Sequence, residues 1–405
     1  MPLAAPPFGE AFFITFFLRE YIVAEVIFLK RRFIAAGLVA LSLVLPVRAA
    51  DVDFGAPSCL LMEAETGTVL YEFNADEPLP PASVTKIMTL LLVMEAVDDG
   101  RLGWEDMVQT SEHAASMGGS QVFLEPGEEM PVREMVKCVV VSSANDAAVA
   151  LAEKVAGSEE AFVNRMNERA AELGMTNTVF KNTNGLDDTV EGHVTTARDI
   201  ALMSRELITK HPKILEYSSI WTDTIRNGAF GLTNTNRLVR FYRGANGLKT
   251  GSTSKAKFCI SATALRDNMQ LIAVVMASPT RDARNESAKK LLDYGFANFE
   301  VARLTPGELS PLRVVGGVAS SVPVVSDVTP LVVKKGEAAK ITCELSLPED
   351  AAAPVSGGDE IGRAVYFLNG EEIASVPVRA AESVGKIGFT GLFYEFFTRM
   401  LLCRG

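Results

Sequence analysis

Several things are scarce in this 405-residue chain, and each scarcity removes a class of function. It has 39 Lys and Arg against 50 Asp and Glu, for a net charge of -11. Its one compact basic tract is Lys30-Arg31-Arg32. A polyanion partner such as nucleic acid needs a basic face, so that class drops out. Histidine occurs three times and cysteine five times (Cys59, Cys138, Cys259, Cys343, Cys403), with no Cys-x-x-Cys spacing. That argues against a structural zinc site, and the cysteines read as buried packing residues. No uninterrupted apolar stretch approaches the roughly 20 residues a membrane-spanning helix requires. At 48% apolar and 22% charged residues the balance is that of a folded globular chain, long enough for two domains and targeting segments.

Lys30-Arg31-Arg32, the apolar stretch Phe33 to Leu45 and Pro46-Val47-Arg48-Ala49 follow the order of a secretory signal, with cleavage expected after Ala49. Residues 1–29 are apolar but broken by Arg19, Glu20 and Glu25, and a signal has no need of them. From Ser58 two apolar runs flank Glu65-Thr66-Gly67 and predict a β-hairpin. Helical spacing follows after Pro80-Pro81-Ala82 (Ile87, Leu90, Leu91, Met94), then over Ala147 to Val155, Ala161 to Leu173 and Ala197 to Leu207. Strands are expected at Gly247 to Thr250, Phe258 to Leu265 and Leu271 to Met276, with a closing helix at Ser287 to Phe296. This pattern suggests one mixed sheet whose first and last segments pair around a helical cluster.

After about Leu304 short Val-rich runs (Val322 to Val325, Leu331 to Val333, Ala339 to Leu345, Arg363 to Phe367) alternate with Gly, Pro and Asp and predict a small all-β domain. The tail places Phe393, Phe396, Phe397, Met400 and Leu401 on one helical face, which suits a membrane surface, the plain alternative being a helix docked against the β domain. The division expected is therefore an extension and signal at 1–49, a catalytic domain at 50–302, a β-rich domain at 303–388 and an amphipathic helix at 389–405.

Ser83-Val84-Thr85-Lys86 is a Ser-x-x-Lys set, and on a helix the two side chains share a face. The same spacing occurs at Ser252/Lys255, Ser254/Lys257, Ser287/Lys290 and Ser383/Lys386, so it is weak alone. Ser83 stands out because a proline-rich approach meets the start of an apolar helix there; the plain alternative is a helix N-cap. Two further elements follow in order, Ser143-Ala144-Asn145 and Lys249-Thr250-Gly251. Ser-x-x-Lys, Ser-x-Asn and Lys-Thr-Gly together form the signature of penicillin-binding proteins and class A β-lactamases. Here Ala144 replaces the usual middle Asp.

With these motifs, and with phrases such as Val122-Phe123-Leu124-Glu125-Pro126-Gly127, Asn184-Gly185-Leu186-Asp187 and Thr196-Ala197-Arg198-Asp199, the chain resembles the low-molecular-mass penicillin-binding proteins, the serine-type D-Ala-D-Ala carboxypeptidases. The resemblance covers roughly residues 58–299. It implies an α/β (α+β) penicillin-binding/β-lactamase-like transpeptidase fold, an antiparallel sheet flanked by helices with a small C-terminal all-β domain. It implies a peptidoglycan stem peptide as substrate, β-lactam antibiotics as inhibitors, no cofactor, and a place on the outer face of the cytoplasmic membrane.

The catalytic set expected is Ser83, Lys86 and Ser143. With no histidine near the motifs in sequence, the base for Ser83 is a lysine whose pKa burial and a second cation depress: Lys86, with Lys249 beside it. Ser143 would relay a proton to the departing amine, and the Asn145 amide would hold a substrate carbonyl. The resemblance assigns the oxyanion donors to the backbone N–H groups of Ser83 and Ser252, after Lys249-Thr250-Gly251. Thr250 and Arg284 are the candidates for the terminal carboxylate, with Arg281 close by. A β-lactamase shares the three elements, but its Glu-x-x-Leu-Asn type of loop is not visible after Ser143. A DD-endopeptidase and a non-catalytic wall-binding protein are the other readings.

Overall fold

The computed structural model describes residues 53–187 and 190–402. The expected signal and the extension before it lie outside the described residues. The hairpin forms as expected, as β1 (Ser58–Glu63) and β2 (Val69–Phe73). The helices α1 (Lys86–Asp98), α2 (Asn145–Ala156), α3 (Glu159–Glu172) and α4 (Ala197–Lys210) follow. The chain then returns to strands β3 (Ala245–Thr253), β4 (Lys257–Arg266) and β5 (Met269–Ser278), and α5 (Arg281–Asn298) closes the region. The sheet order is β2-β1-β5-β4-β3, and every pairing is antiparallel. The mixed sheet expected from the pattern is thereby corrected: β1 meets β5 with Leu60 opposite Val274, running the opposite way.

Alternation along the strands separates two cores. Leu60, Met62, Ile272, Val274 and Met276 face the helical cluster around α1, while Cys59, Leu61, Leu271, Ala273 and Val275 face Ala288, Leu291 and Leu292 of α5. Gly295 lets α5 lie flat on the sheet, since a Cβ there would come within 2.5 Å of Leu271 Cδ1. α1 buries ten of its thirteen residues, so it is a central helix covered nearly all round rather than an amphipathic surface one. Side-chain N-caps start α3, α4 and α5: Ser158, Thr196 and Thr280 each accept from the amide three residues on.

Beyond α5, strands from Phe299–Leu304 to Glu371–Ala380 enclose a separate apolar cluster that includes Val322, Ala364, Tyr366 and Val378. The run expected at Ala339 to Leu345 divides into a 3-10 turn at Ala338–Lys340 and a strand at Thr342–Ser346. Cys59, Cys138 and Cys259 are buried free thiols, whereas Cys343 is exposed on that edge strand, unlike the packing role expected of it. The tail forms a helix at Phe389–Leu402. Among the described residues no helix is long and apolar enough to cross a membrane.

Candidate active site

Ser83 sits in a 3-10 turn, Ala82–Thr85, that runs directly into α1. It is not an N-cap: the positions that cap this turn and α1, Pro81 and Thr85, make no capping side-chain bond. Its hydroxyl faces the amine of Lys86, 2.9 Å away. Lys86 is fully buried and its Nζ has two further neighbours, Asn145 Oδ1 at 2.5 Å and the Asn184 carbonyl at 2.9 Å. Burial holds its pKa well below the ordinary lysine range, and nearby Lys249 adds to this while Asp146 opposes it.

Ser143 closes a π-helical turn, Cys138–Ser142, in a left-handed conformation (φ 62°). That backbone aims its hydroxyl at Lys249 Nζ, 2.8 Å away, and not at the surface. The neighbouring Ser142 remains within the turn, so Ser-x-Asn spacing picked the serine that reaches a lysine. Lys249, on the edge strand β3, is 1% exposed and is brought down to about 7, first by burial and then by the Arg284 guanidinium. The glycine of Lys-Thr-Gly is a close-approach glycine. A Cβ on Gly251 would lie 2.8 Å from Ser83 N and 2.9 Å from Pro81 O, so the backbone of β3, which continues to Ser252, rests on the turn that carries Ser83.

The Asn145 side chain is 2% exposed, accepting from Lys86 at Oδ1 and donating one of its two Nδ2 hydrogens to Gly118 O at 2.6 Å. Thr250 and Ser252 both face a cleft of about 620 Å³ whose wall also includes Ser83, Ser143, Arg237, Arg281 and Arg284. The Thr250 hydroxyl donates to Thr235 Oγ1 at 2.8 Å. Arg284 is not a solvated surface charge: it is 3% exposed, bonded to Asn285 Oδ1 and the Cys259 carbonyl, and lowered to about 10 by burial and by Arg281.

Sequence reasoning missed Arg237, which reaches the cleft from the turn after Asn236; a single Arg in a loop carries no signal of its own. It also missed the Asn184 carbonyl, because a backbone acceptor leaves no mark in the side-chain pattern. Asp146, next to the motif, accepts from the Val122 and Leu124 amides and thereby ties down the segment that follows Ser120 on the cleft wall. One histidine does approach the motif in space. His193 Nε2 lies 2.9 Å from Thr85 Oγ1, while its Nδ1 accepts from the Lys181 amide at 3.3 Å. Burial pushes its pKa down to about 4, so it is neutral and donates to Thr85. Both of its ring nitrogens are thus engaged away from Ser83.

Comparison with known proteins agrees with this geometry. Residues 46–280 match the family model described as D-alanyl-D-alanine carboxypeptidase, and residues 308–386 match that of the penicillin-binding protein 5 C-terminal domain. The D-alanyl-D-alanine carboxypeptidase DacF of Bacillus subtilis is 44% identical over 349 residues, 84% of this chain and 89% of that protein. Penicillin-binding protein 5 from Haemophilus influenzae superposes with a TM-score of 0.72 at 33% identity, covering 84% of this chain and all of that one. Penicillin-binding protein D2 from Listeria monocytogenes, solved in an ampicillin-bound form, superposes with a TM-score of 0.56 at 34% identity, over 61% of this chain and all of its own. With the three motifs meeting at one cleft in the penicillin-binding fold, and a family match spanning more than half its length, the chain belongs to the D-alanyl-D-alanine carboxypeptidase family.

Proposed function

We propose that this protein is an exported serine D-Ala-D-Ala carboxypeptidase that removes the terminal D-Ala from peptidoglycan stem peptides through an acyl-enzyme on Ser83. The observation that carries this reading is the arrangement around Lys86 Nζ. A neutral amine has two hydrogens and one lone pair. Asn145 Oδ1 and Asn184 O can only accept, so they take the two hydrogens and leave the lone pair facing the Ser83 hydroxyl at 2.9 Å. The depressed pKa supplies the neutral form. Lys86 then takes the serine proton as Oγ attacks the penultimate carbonyl.

The tetrahedral oxygen would be held by the Ser83 and Ser252 amides, where the Ala82–Thr85 turn and β3 approach because Gly251 permits contact. Ser143, hydrogen-bonded to Lys249, would hand a proton to the departing D-Ala amine. Water then cleaves the acyl-enzyme. Asn145 serves by orienting Lys86, and the extended substrate would add as a strand along the free edge of β3. Thr250 and the guanidiniums of Arg284, Arg281 and Arg237 offer the terminal carboxylate a cationic end to the cleft.

β-Lactams would acylate the same serine; the Listeria relative seen with ampicillin supports this. The catalytic region is assigned to 50–302 and the β domain to 303–388. Export by the segment ending at Ala49, and attachment to the outer face of the membrane through the Phe389–Leu402 helix, belong to the same proposal. Exposed Phe389, Phe393, Tyr394, Phe396 and Phe397 support the attachment. The test is release of D-Ala from a D-Ala-D-Ala-terminated peptide: the wild-type protein releases it, and Ser83→Ala releases none above background. Equal release by both proteins would refute the proposal.

A further inference from the structure

The hydrogen bonds at Lys86 lead outward to a carboxylate on the far side of the 182–186 loop. The Asn184 carbonyl is one of the two acceptors that fix the Lys86 amine. Thr183, the residue before it, is fully buried and held from two sides. Its carbonyl accepts from Thr89 Oγ1 at 2.5 Å, one turn along α1 from Lys86. Its N–H and its hydroxyl both donate to Glu159 Oε1, at 3.0 and 2.8 Å. The other Glu159 oxygen meets His113 Nε2 at 2.7 Å.

Glu159 opens α3, where the aligned amides favour a carboxylate, and its side chain is 17% exposed. The loop's internal bonds, with Asn182 Oδ1 accepting from Gly185 N and Asn184 Oδ1 from Leu186 N, shape the turn but do not press it against α1. Gly185 (φ 84°) permits the close seat, since a Cβ there would collide with the Ala82 carbonyl. Outer support of Thr183 comes from Glu159.

We propose that Glu159 is a positioning residue for acylation: by gripping Thr183 it keeps the Asn184 carbonyl on Lys86 Nζ, and so keeps the lone pair of that amine on Ser83. This rests on the reading of Lys86 as the base. If the carbonyl withdraws, one N–H of Lys86 loses its acceptor, the amine is free to rotate, and a hydrogen can take the place facing the serine. The charged groups facing Lys86 are Lys249 and Asp146. Those bordering Glu159 are His113, Lys181, Glu153 and Glu160. The role does not need the charge of Glu159, only an oxygen that accepts two hydrogen bonds.

The experiment uses the full chain and penicillin, separating the dissociation constant of the non-covalent complex from the acylation rate constant for wild type, Glu159→Ala, Glu159→Gln and Ser83→Ala. Glu159→Ala is expected to slow acylation about 10- to 100-fold with the dissociation constant unchanged. Glu159→Gln, which retains the accepting oxygen, is expected to recover most of the rate. A Glu159→Ala protein that acylates at the wild-type rate overturns the proposal. So does equal impairment of the Ala and Gln variants, or a loss confined to the dissociation constant. An adduct on Ser83→Ala would instead remove the serine–lysine reading beneath it, and the clamp with it.

Discussion

Lys86 and Lys249 are two buried lysines, both held below the ordinary lysine range, and pH is the variable that tests their roles. Lys86 must be neutral to accept a proton, so acylation rises with pH as Lys86 deprotonates, at a pH well below the ordinary lysine range. Lys249, near 7, favours the reaction as a cation that depresses Lys86 and supplies a proton through Ser143. The rate constant is therefore expected to fall again above about pH 7. Stopped-flow acylation from pH 5 to 10 should give a bell, and a curve that climbs steadily through pH 9 would contradict the role of Lys249. Lys86→Ala should slow acylation by about 10²- to 10⁴-fold. At this scale Ser83, Lys86, Ser143 and Lys249 were legible because three short motifs, weak singly, occur together and in order in one chain. Asn184 was not, since its contribution is a carbonyl that any residue owns. Asn145 was legible as a member of the site, though its bond to the Lys86 amine was not.

Among the elements, the edge strand β3 and the turn at Ala82–Thr85 decide whether the two halves of the site touch. Gly251→Ala would set a Cβ against backbone atoms of Ser83, Pro81 and Val84, none of which can swing aside. The expected result is a loss of about 1–3 kcal/mol in stability and a larger proportional loss in acylation, read by thermal unfolding beside penicillin labelling. Normal labelling at a normal melting temperature would mean that the strand has slack the structure does not show. The helices and the hairpin were legible from their periods, and α5 from its apolar spacing. Strand direction was not legible from periodicity, because a period of two is the same for parallel and antiparallel neighbours, so the pattern alone suggested a mixed sheet and only the family resemblance implied the antiparallel one. The strand Glu371–Ala380 escaped notice because Glu371, Glu372 and Pro377 interrupt its apolar residues, and pairing with Glu360–Leu368 overrides that weak local preference.

Across the whole molecule, the catalytic cleft draws all its lining residues from 83–284, and the β domain has its own apolar cluster. The tail adds a third property. Phe389, Phe393, Tyr394, Phe396 and Phe397 are between 49% and 84% exposed, an aromatic surface on the tail helix. Ending the chain at Ile387 is expected to leave penicillin acylation unchanged while abolishing co-sedimentation with anionic lipid vesicles. Vesicle binding that survives the truncation would move the membrane contact elsewhere. The domain order was readable from composition, since Val-rich runs broken by Gly and Pro replace helical periods near Leu304.

The central claim is that Ser83, activated by Lys86, is the nucleophile, and it is tested most directly by intact mass spectrometry of the Ala50–Gly405 protein after incubation with penicillin, beside Ser83→Ala. One penicilloyl adduct on the first protein and none on the second is the predicted result. An adduct on both, or on neither, would contradict it.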